Sequence, residues 1–298
     1  MTTAAGVAAP ARVRPVGLVV MCAAVVILSV SSTLVKKSGV PGPTVAFWRT
    51  TGAAAVWTAI LWGRERRFVR VDELRRALLP GIAFGLNITV FFTAVTHTTV
   101  ANAEFIGTLT PIVLVPAGAI IFHEQINAKA LAFGAVSIVG LAMVLFLGPA
   151  NGEASWFGNA LAFASMLTWC TYLISSRGLR ATTSVAGIMG AAMPISALTI
   201  LPIALATGDA AQVTWSAAGY IAVLVILSGT VAHGMIMFAQ RSVPVGTISL
   251  IQIAQPAMAA LWSVALLSTS IRAVQVIGMI LVLAGLAAMI TVRQRSPH

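Results

Sequence analysis

The chain has 298 residues, of which 59% are hydrophobic and only 8% are charged. A soluble domain carries about 25% charged residues, so this composition excludes a water-soluble enzyme or binding module and predicts an integral membrane protein. The formal net charge of +11 would suggest nucleic acid as the partner of a soluble chain, but here the positive residues lie between apolar segments, where such residues set membrane topology.

Apolar runs long enough for a membrane-spanning helix, ~20 residues, recur along the whole chain. The first run, residues 16–35, follows Arg12 and Arg14; it is too long for a secretory signal and has no small-residue cleavage site, so it predicts a retained helix. The run at 43–63 is interrupted only by Arg49. The other runs are 77–103, 105–122, 130–152, 154–176, 181–208, 210–240, 242–271 and 273–292. They predict an all-α protein of about ten transmembrane helices, because a barrel strand alternates in polarity over ~10 residues.

The positions of the positive residues predict the topology. With the N-terminus inside, the outer segments hold only three positive residues, which are Lys36, Lys37 and Arg272. The inner segments hold Arg12, Arg14, Arg64, Arg66, Arg67, Arg70, Arg75, Arg76, Lys129, Arg177, Arg180, Arg241, Arg293 and Arg295. Because positive residues in short loops stay on the cytoplasmic side, we expect both termini to be cytoplasmic.

A weak internal repeat relates the two halves of the chain. A shift of 145 positions places "TVANAEFIGTLTPI" (99–112) over "PVGTISLIQIAQPA" (244–257). Five helices per half is an odd number, so the second copy would enter the membrane in the opposite orientation. We therefore expect two inverted five-helix repeats, residues 1–150 and 151–298. Inverted repeats are a recurrent plan of secondary transporters, whose substrate site lies near the midplane between the repeats.

Glu104 is the only acid between Arg76 and His123. A carboxylate on a membrane helix is costly unless it faces a cavity, a partner or a proton. Two interpretations stay open: Glu104 contacts the amino group of a substrate or carries a proton, or it lies near enough to the outer end of helix four to be wetted or to cap that end. Its repeat equivalent is Ser249, so the two halves would differ chemically.

Polar and aromatic side chains in the other apolar runs are further candidates for lining a cavity, because polar groups in a bilayer must point into the bundle. They are Ser29, Ser32 and Lys36 on helix one, Asn87 and Phe91 on helix three, Ser165, Trp169 and Tyr172 on helix six, Thr230, His233, Met237 and Gln240 on helix eight, and Gln252 and Gln255 on helix nine. The aromatic residues would stack on an aromatic substrate or serve only as packing residues. His233 is also a candidate proton carrier.

Structural or gating roles are predicted for a second group of residues. Arg49 is expected to snorkel towards the outer surface, with contact to a substrate carboxylate as the alternative. Glu124 is expected in an inner loop, where it would pair with an inner arginine during gating. Lys36 ends helix one. Pro111 and Pro256 lack a backbone donor and are expected to kink their helices and act as hinges.

A glycine motif adds an expectation about packing. The segment "GIAFG" at 81–85 has small residues four positions apart. That spacing predicts close approach of two helix backbones.

Two stretches resemble the EamA-type transporters of the drug/metabolite transporter superfamily. They are "VKKSGVPGPTVAFWR" (35–49) and "TLTPIVLVPAGAIIFHEQINAKALAFGAVSIVG" (108–140). The second half departs from the pattern, because Thr269 stands where an equivalent of Glu124 is usual. The resemblance implies a ten-helix carrier of small metabolites in a bacterial inner (plasma) membrane, similar in appearance to the YddG-like exporters of aromatic amino acids.

Motifs for catalysis, metal binding and nucleotide binding bear on the remaining function classes. Paired aspartates, HExxH, G-x-S-x-G and clustered metal ligands are not found in the sequence, so an intramembrane enzyme is only a distant alternative, and no metal or cofactor is expected. There is no phosphate loop, so ATP is not expected as a partner. The expected partners are a small-molecule substrate and membrane lipid. Two carrier functions stay open: export of amino acids by alternating access, and efflux of lipophilic cationic drugs.

Overall fold

The computed structural model describes residues 15–110, 112–113, 128–147, 155–176, 179, 183–207, 213–239, 243 and 251–295. Within these residues the chain is helical and contains no strand. It forms ten helices: α1 Pro15–Lys37, α2 Gly42–Glu65, α3 Val71–His97, α4 Val100–Thr108, α5 Ala128–Phe146, α6 Trp156–Ser176, α7 Val185–Ala206, α8 Trp215–Ala239, α9 Ala254–Leu267 and α10 Ala273–Arg295. The all-α prediction is confirmed for this part of the chain.

Five of these helices are long and apolar enough to cross a membrane. They are α1, α3, α6, α7 and α8. Shorter apolar stretches cover Leu131–Phe146, Ala254–Leu267 and Ala273–Met289 in α5, α9 and α10. Large apolar side chains such as Val19, Leu198 and Leu261 are exposed on the outside of the bundle. Such a surface is suited to lipid, because lipid tails are as apolar as these side chains.

The helices α5 and α10 pack backbone against backbone through glycines. A methyl group on Gly140 would lie 2.7 Å from the carbonyl oxygen of Gly278, and one on Gly285 would lie 2.8 Å from that of Phe133. The Ser137 hydroxyl donates to the carbonyl oxygen of Val282, 145 positions away, at 3.3 Å. The 145-position shift takes position 140 to 285 and position 133 to 278. It therefore turns the contact between Gly140 and Gly278 into the contact between Gly285 and Phe133.

The same exchange extends to the packing of the other helices. The shift places α1–α5 on α6–α10 and α6–α10 on α1–α5. The packing of α1 against α9 then corresponds to the packing of α6 against α4, and both are present. The packing of α3 against α7 likewise corresponds to that of α8 against α2. Three helix pairs map onto themselves, which are α2 with α7, α4 with α9 and α5 with α10. This packing pattern fits the duplication predicted from the sequence.

The "GIAFG" segment brings α3 against α7, as predicted. A methyl group on Gly81 would lie 2.8 Å from Ile195 Cβ, and one on Gly85 would lie 2.8 Å from the carbonyl oxygen of Ser196. The Ser196 hydroxyl donates to the carbonyl oxygen of Gly81 at 2.7 Å. The two backbones therefore touch directly.

An ion cluster joins the α2–α3 loop to α7 at one end of the bundle, here called the Arg67 end. The Arg67 guanidinium binds both carboxylate oxygens of Glu73, at 2.8 and 2.9 Å, and its Nε donates to Glu65 at 2.8 Å. The hydrogen bonds that Arg67 donates to the Glu73 carboxylate are the main cause that raises the pKa of Arg67. Ser184, which caps the first turn of α7, donates to Glu65. The cluster therefore links the first half of the chain to the second.

We expect Gly140→Ala to lower the free energy of unfolding by roughly 1–3 kcal/mol, because overpacking forces the two backbones apart. The apparent Tm in detergent measures the change. Gly219→Ala on α8 is the matched control, since no other atom lies within 4 Å of a methyl group there. Equal melting temperatures for the two variants would contradict the tight contact.

We expect Arg67→Ala to lower the apparent Tm by about 2–4 °C, corresponding to roughly 1 kcal/mol for a partly exposed ion cluster. Arg75→Ala removes an exposed arginine from α3 and serves as the control. If both variants lose the same stability, then loss of charge rather than loss of the cluster is responsible.

Candidate functional site

Glu104 lies inside the bundle, where α4 meets α1 and α9. Its side chain is only 5% exposed, and one carboxylate oxygen accepts a hydrogen bond from Gln255 Nε2 at 3.2 Å. The Ser32 hydroxyl of α1 lies beside the carboxylate but makes no hydrogen bond of standard geometry. Glu104 therefore keeps acceptor capacity for a further donor.

The capping interpretation of Glu104 is wrong, because another residue fills the cap. Thr99 is the N-cap of α4, and its hydroxyl accepts from the backbone N–H of Asn102 at 3.1 Å. Glu104 lies more than one turn beyond that cap and is buried rather than wetted. Thr99 and Glu104 are both candidate caps in the sequence, but α4 begins at Val100, so Thr99 is the N-cap.

A polar cluster closes the end of the bundle nearest to Glu104, here called the Lys36 end. Lys36 Nζ donates to the carbonyl oxygen of Thr98 at 2.8 Å, which ties α1 to the α3–α4 junction. The Thr98 hydroxyl donates to Asn159 Oδ1 at 2.8 Å, and Ser155 donates to the carbonyl oxygen of His97 at 2.6 Å. Lys36 is thus placed as a connecting residue between neighbouring helices.

Asn87 joins α3 to α6. Its amide nitrogen donates to the carbonyl oxygen and to the hydroxyl oxygen of Ser165, each at 2.9 Å. The Ser165 hydroxyl in turn lies 3.3 Å from the carbonyl oxygen of Asn87. Both residues were predicted as cavity candidates, but these hydrogen bonds occupy the Asn87 amide nitrogen.

Four aromatic rings form a continuous row from α6 through α3 to α8. Trp169 stacks on Tyr172 with a centroid distance of 5.1 Å, and Tyr172 lies 5.2 Å from Phe84. Phe84 meets the His233 ring edge to face at 5.1 Å. The row brings together three predicted residues, whereas Phe91, also predicted, lies beside Phe92 on α3. Sequence reasoning missed Phe84, because a phenylalanine in an apolar run carries no distinguishing signal.

Arg49 does not snorkel outward, and that prediction is wrong. Its side chain is 1% exposed, and its guanidinium carbon lies 5.8 Å from the ring centroid of Phe84, the central residue of α3. One guanidinium nitrogen, Nη2, lies 3.5 Å from His233 Nδ1. The side chain extends along α2 towards the middle of the bundle, where packing against α3 and α8 holds it.

The middle of α8 is a π-helix, Val225–Ala232. Within it the Thr230 hydroxyl donates to the carbonyl oxygen of Val225, five residues back, at 2.9 Å. His233 Nδ1 lies within hydrogen-bonding distance of the carbonyl oxygen of Ser228. Because a π-helix widens each turn, α-helical spacing does not relate Thr230 to His233, whereas His233 and Met237 lie four residues apart in the α-helical part of α8. All three side chains are buried, and Met237 packs in the apolar core.

The other predicted residues are placed as follows. Ser29 accepts from Trp262 Nε1 at 3.1 Å, and Gln252 is half-buried just before α9. Pro256 lies in the first turn of α9, directly after a turn at Ile253, where the missing backbone donor costs no helical hydrogen bond. Pro111, Glu124, Gln240 and Ser249 lie outside the described residues. Among the described residues, no three metal-ligating side chains lie close enough together to hold an ion.

Comparisons with known proteins agree with this architecture. The EamA-like transporter family matches the sequence twice, over residues 15–146 and 156–291. No curated protein matches the sequence. A solved crystal structure with 20% sequence identity aligns at a TM-score of 0.66 and covers 94% of this chain and 99% of that chain. At this identity the likeness shows the fold alone. The two family matches span α1–α5 and α6–α10 and fit the predicted repeat.

We expect Asn87→Ala to lower the free energy of unfolding by about 1 kcal/mol, because it breaks the hydrogen bonds between α3 and α6. Ser165→Ala removes only the bond to the hydroxyl and leaves the bond to the Ser165 carbonyl oxygen, so the double variant should lose less stability than the two single losses combined. Thermal unfolding of the four proteins measures this coupling. Strictly additive losses would show that the two side chains do not interact.

Proposed function

We propose that this chain, which belongs to the EamA-like transporter family, exports amino acids with aromatic or neutral side chains across a bacterial inner membrane. In this proposal both termini are cytoplasmic and transport proceeds by alternating access. Membership makes the chain a membrane transporter rather than a member of an enzyme family. The substrate class and the orientation are our proposals.

The observation that carries the proposal of an amine-bearing solute is the buried carboxylate of Glu104. It lies between α1, α4 and α9 and accepts one hydrogen bond from an amide, that of Gln255. A buried carboxylate that has no ion pair among the described residues is strongly stabilised when a cation binds to it. The ammonium group of an amino acid supplies that cation, and the neighbouring hydroxyl of Ser32 offers a further acceptor.

The aromatic row supports a solute with an apolar or aromatic side chain. Trp169 is half-buried and Tyr172 is buried, and their stacked rings offer a face on which an aromatic side chain of the solute stacks in turn. Gln252, Met237 and His233 belong to the proposed cavity as well. An ammonium group bound by Glu104 and an apolar or aromatic side chain stacked on these rings match the chemistry of such an amino acid.

The packing pattern supports alternating access between two repeats. We propose that residues 1–150 and 151–298 form two inverted five-helix repeats with ten membrane spans. Contacts that are exchanged between the halves, such as those of Gly140 and Gly285, allow two states of similar energy, each open to one side. The Arg67 end and the Lys36 end are the expected gates. The break before Pro256 supports a hinge there.

Efflux of lipophilic cations is the second candidate function. Glu104 supports it equally, because such drugs also carry a positive amine. The solutes of the two functions differ in one group, because amino acids carry a carboxylate and cationic drugs lack it. Transport assays with purified protein in liposomes decide between them. Saturable uptake of phenylalanine, competed by other neutral amino acids but not by a cationic dye, is the expected result; uptake of the dye alone would overturn amino acid export.

We expect Glu104→Gln to weaken the apparent affinity for amine-bearing solutes roughly ten- to a hundredfold, because hydrogen bonds to a charged group are lost. Asp72→Asn is the matched control, since it removes an exposed carboxylate from α3. Inhibition constants for uptake measure the affinities. Unchanged constants in the Glu104 variant would leave this residue with a structural role only.

A further inference from the structure

Arg49 is a buried cation for which the described residues provide no anion. It is 1% exposed, and its Nε and Nη1 nitrogens have no hydrogen-bond partner in the described part of the chain. The face of the Phe84 ring, 5.8 Å from the guanidinium carbon, is its principal electrostatic contact there. A ring face stabilises a cation far less than an oxygen acceptor does.

The third nitrogen, Nη2, is no better satisfied. It approaches His233 Nδ1 at 3.5 Å, at the limit of a hydrogen bond. That same Nδ1 lies within hydrogen-bonding distance of the Ser228 carbonyl oxygen, to which it must donate a proton. A ring nitrogen that donates cannot also accept, so the guanidinium has no acceptor in His233.

The backbone of Gly229 packs closely against Arg49. Gly229 lies opposite Nε, and a methyl group at that position would be 3.5 Å from Nε and 2.9 Å from Ala53 Cβ. Gly229 belongs to the π-helix Val225–Ala232, a type of turn that is frequent at functional sites. The Trp57 ring nitrogen donates to the Gly229 carbonyl oxygen at 3.2 Å and holds this segment against α2.

The guanidinium also lies where the two halves of the chain meet symmetrically. Phe84 on α3 and Gly229 on α8 are 145 positions apart, the spacing of the repeat contact between Ser137 and Val282. Arg49 lies between these equivalent positions, one occupied by a ring and the other by a glycine. Substrate sites of inverted-repeat carriers lie at such a boundary near the midplane.

We propose that Arg49 binds the carboxylate of the transported solute. The guanidinium fork presents two parallel N–H groups, which match the two oxygens of a carboxylate. A buried charge without a partner is costly to keep, and the arriving anion removes that cost in the state that binds the solute. The inference rests on the proposed amino acid export and deepens it, because it assigns the carboxylate of the solute to Arg49.

The test compares four ligands that share one aromatic ring and differ in their charged groups. They are phenylalanine, phenylalaninamide without the carboxylate, phenethylamine, and 3-phenylpropionate without the amine. Binding is measured as ligand-induced thermal stabilisation and as inhibition of uptake. We expect Arg49→Gln to weaken phenylalanine and 3-phenylpropionate roughly ten- to a hundredfold and to leave the two amines unchanged. Glu104→Gln should weaken phenylalanine and the two amines and leave 3-phenylpropionate unchanged.

Two further variants separate binding from structure. Arg64→Gln removes an exposed arginine from the same helix and should bind all four ligands as the wild type does. Arg49→Lys keeps the charge without the fork and should recover part of the carboxylate affinity. Without ligand, Arg49→Gln should melt at or above the wild-type temperature, because it removes an unpaired buried charge.

The proposed amino acid export and the Arg49 inference fail on different outcomes of this test. Binding of 3-phenylpropionate that depends on Arg49, without transport of phenylalanine, would support the Arg49 site and overturn amino acid export. The Arg49 inference itself is overturned if Arg49→Gln weakens carboxylates and amines alike, if it weakens neither, if it melts well below the wild type, or if the wild type binds no carboxylate.

Discussion

Buried polar groups of this bundle find partners across the boundary between the two halves of the chain. The pairs are Ser29 with Trp262, Trp57 with the Gly229 carbonyl oxygen, the Gly81 carbonyl oxygen with Ser196, Asn87 with Ser165, and Glu104 with Gln255. In an apolar bilayer an unpaired polar group is costly, so these five polar groups of the first half depend on the second half for a partner. The glycine contacts between the halves permit these hydrogen bonds, because they bring the backbones close. The candidate site lies along this boundary.

The two halves share a scaffold but differ in the residues that carry charge. Arg49 corresponds to Pro194 and Glu104 to Ser249 under the 145-position shift. Two equivalent scaffolds allow a carrier to exchange two similar conformations, whereas binding of a polar solute needs a charge of each sign in one orientation only. In the proposed site, the buried cation Arg49 and the buried anion Glu104, both in the first half, supply that polarity. The duplication therefore accounts for the packing, and the unmatched residues account for the chemistry.

Sequence patterns predicted the helices and identified Glu104 as an unusual residue, because the length of an apolar run and the rarity of an acid within it are local properties. They left open whether Glu104 is interior or caps its helix. The expectation for Arg49 failed for a different reason. The long side chain of Arg49 can extend towards either end of its helix, and only the packing of α2 against α3 and α8 selects the inward direction. The α-helical spacing expected between Thr230 and His233 does not apply, because a π-helix precedes His233 in α8.

By itself the sequence determined that this chain is a helical membrane protein with two related halves, since composition, run length and repeat spacing are written along the chain. Only the tertiary structure decided which side chains meet. Phe84, Arg49 and His233 come from three helices, and their meeting depends on the rotation and depth of each helix in the bundle. Those two quantities are set by contacts between backbones, such as that of Gly140 with Gly278, which no periodicity within a single helix encodes.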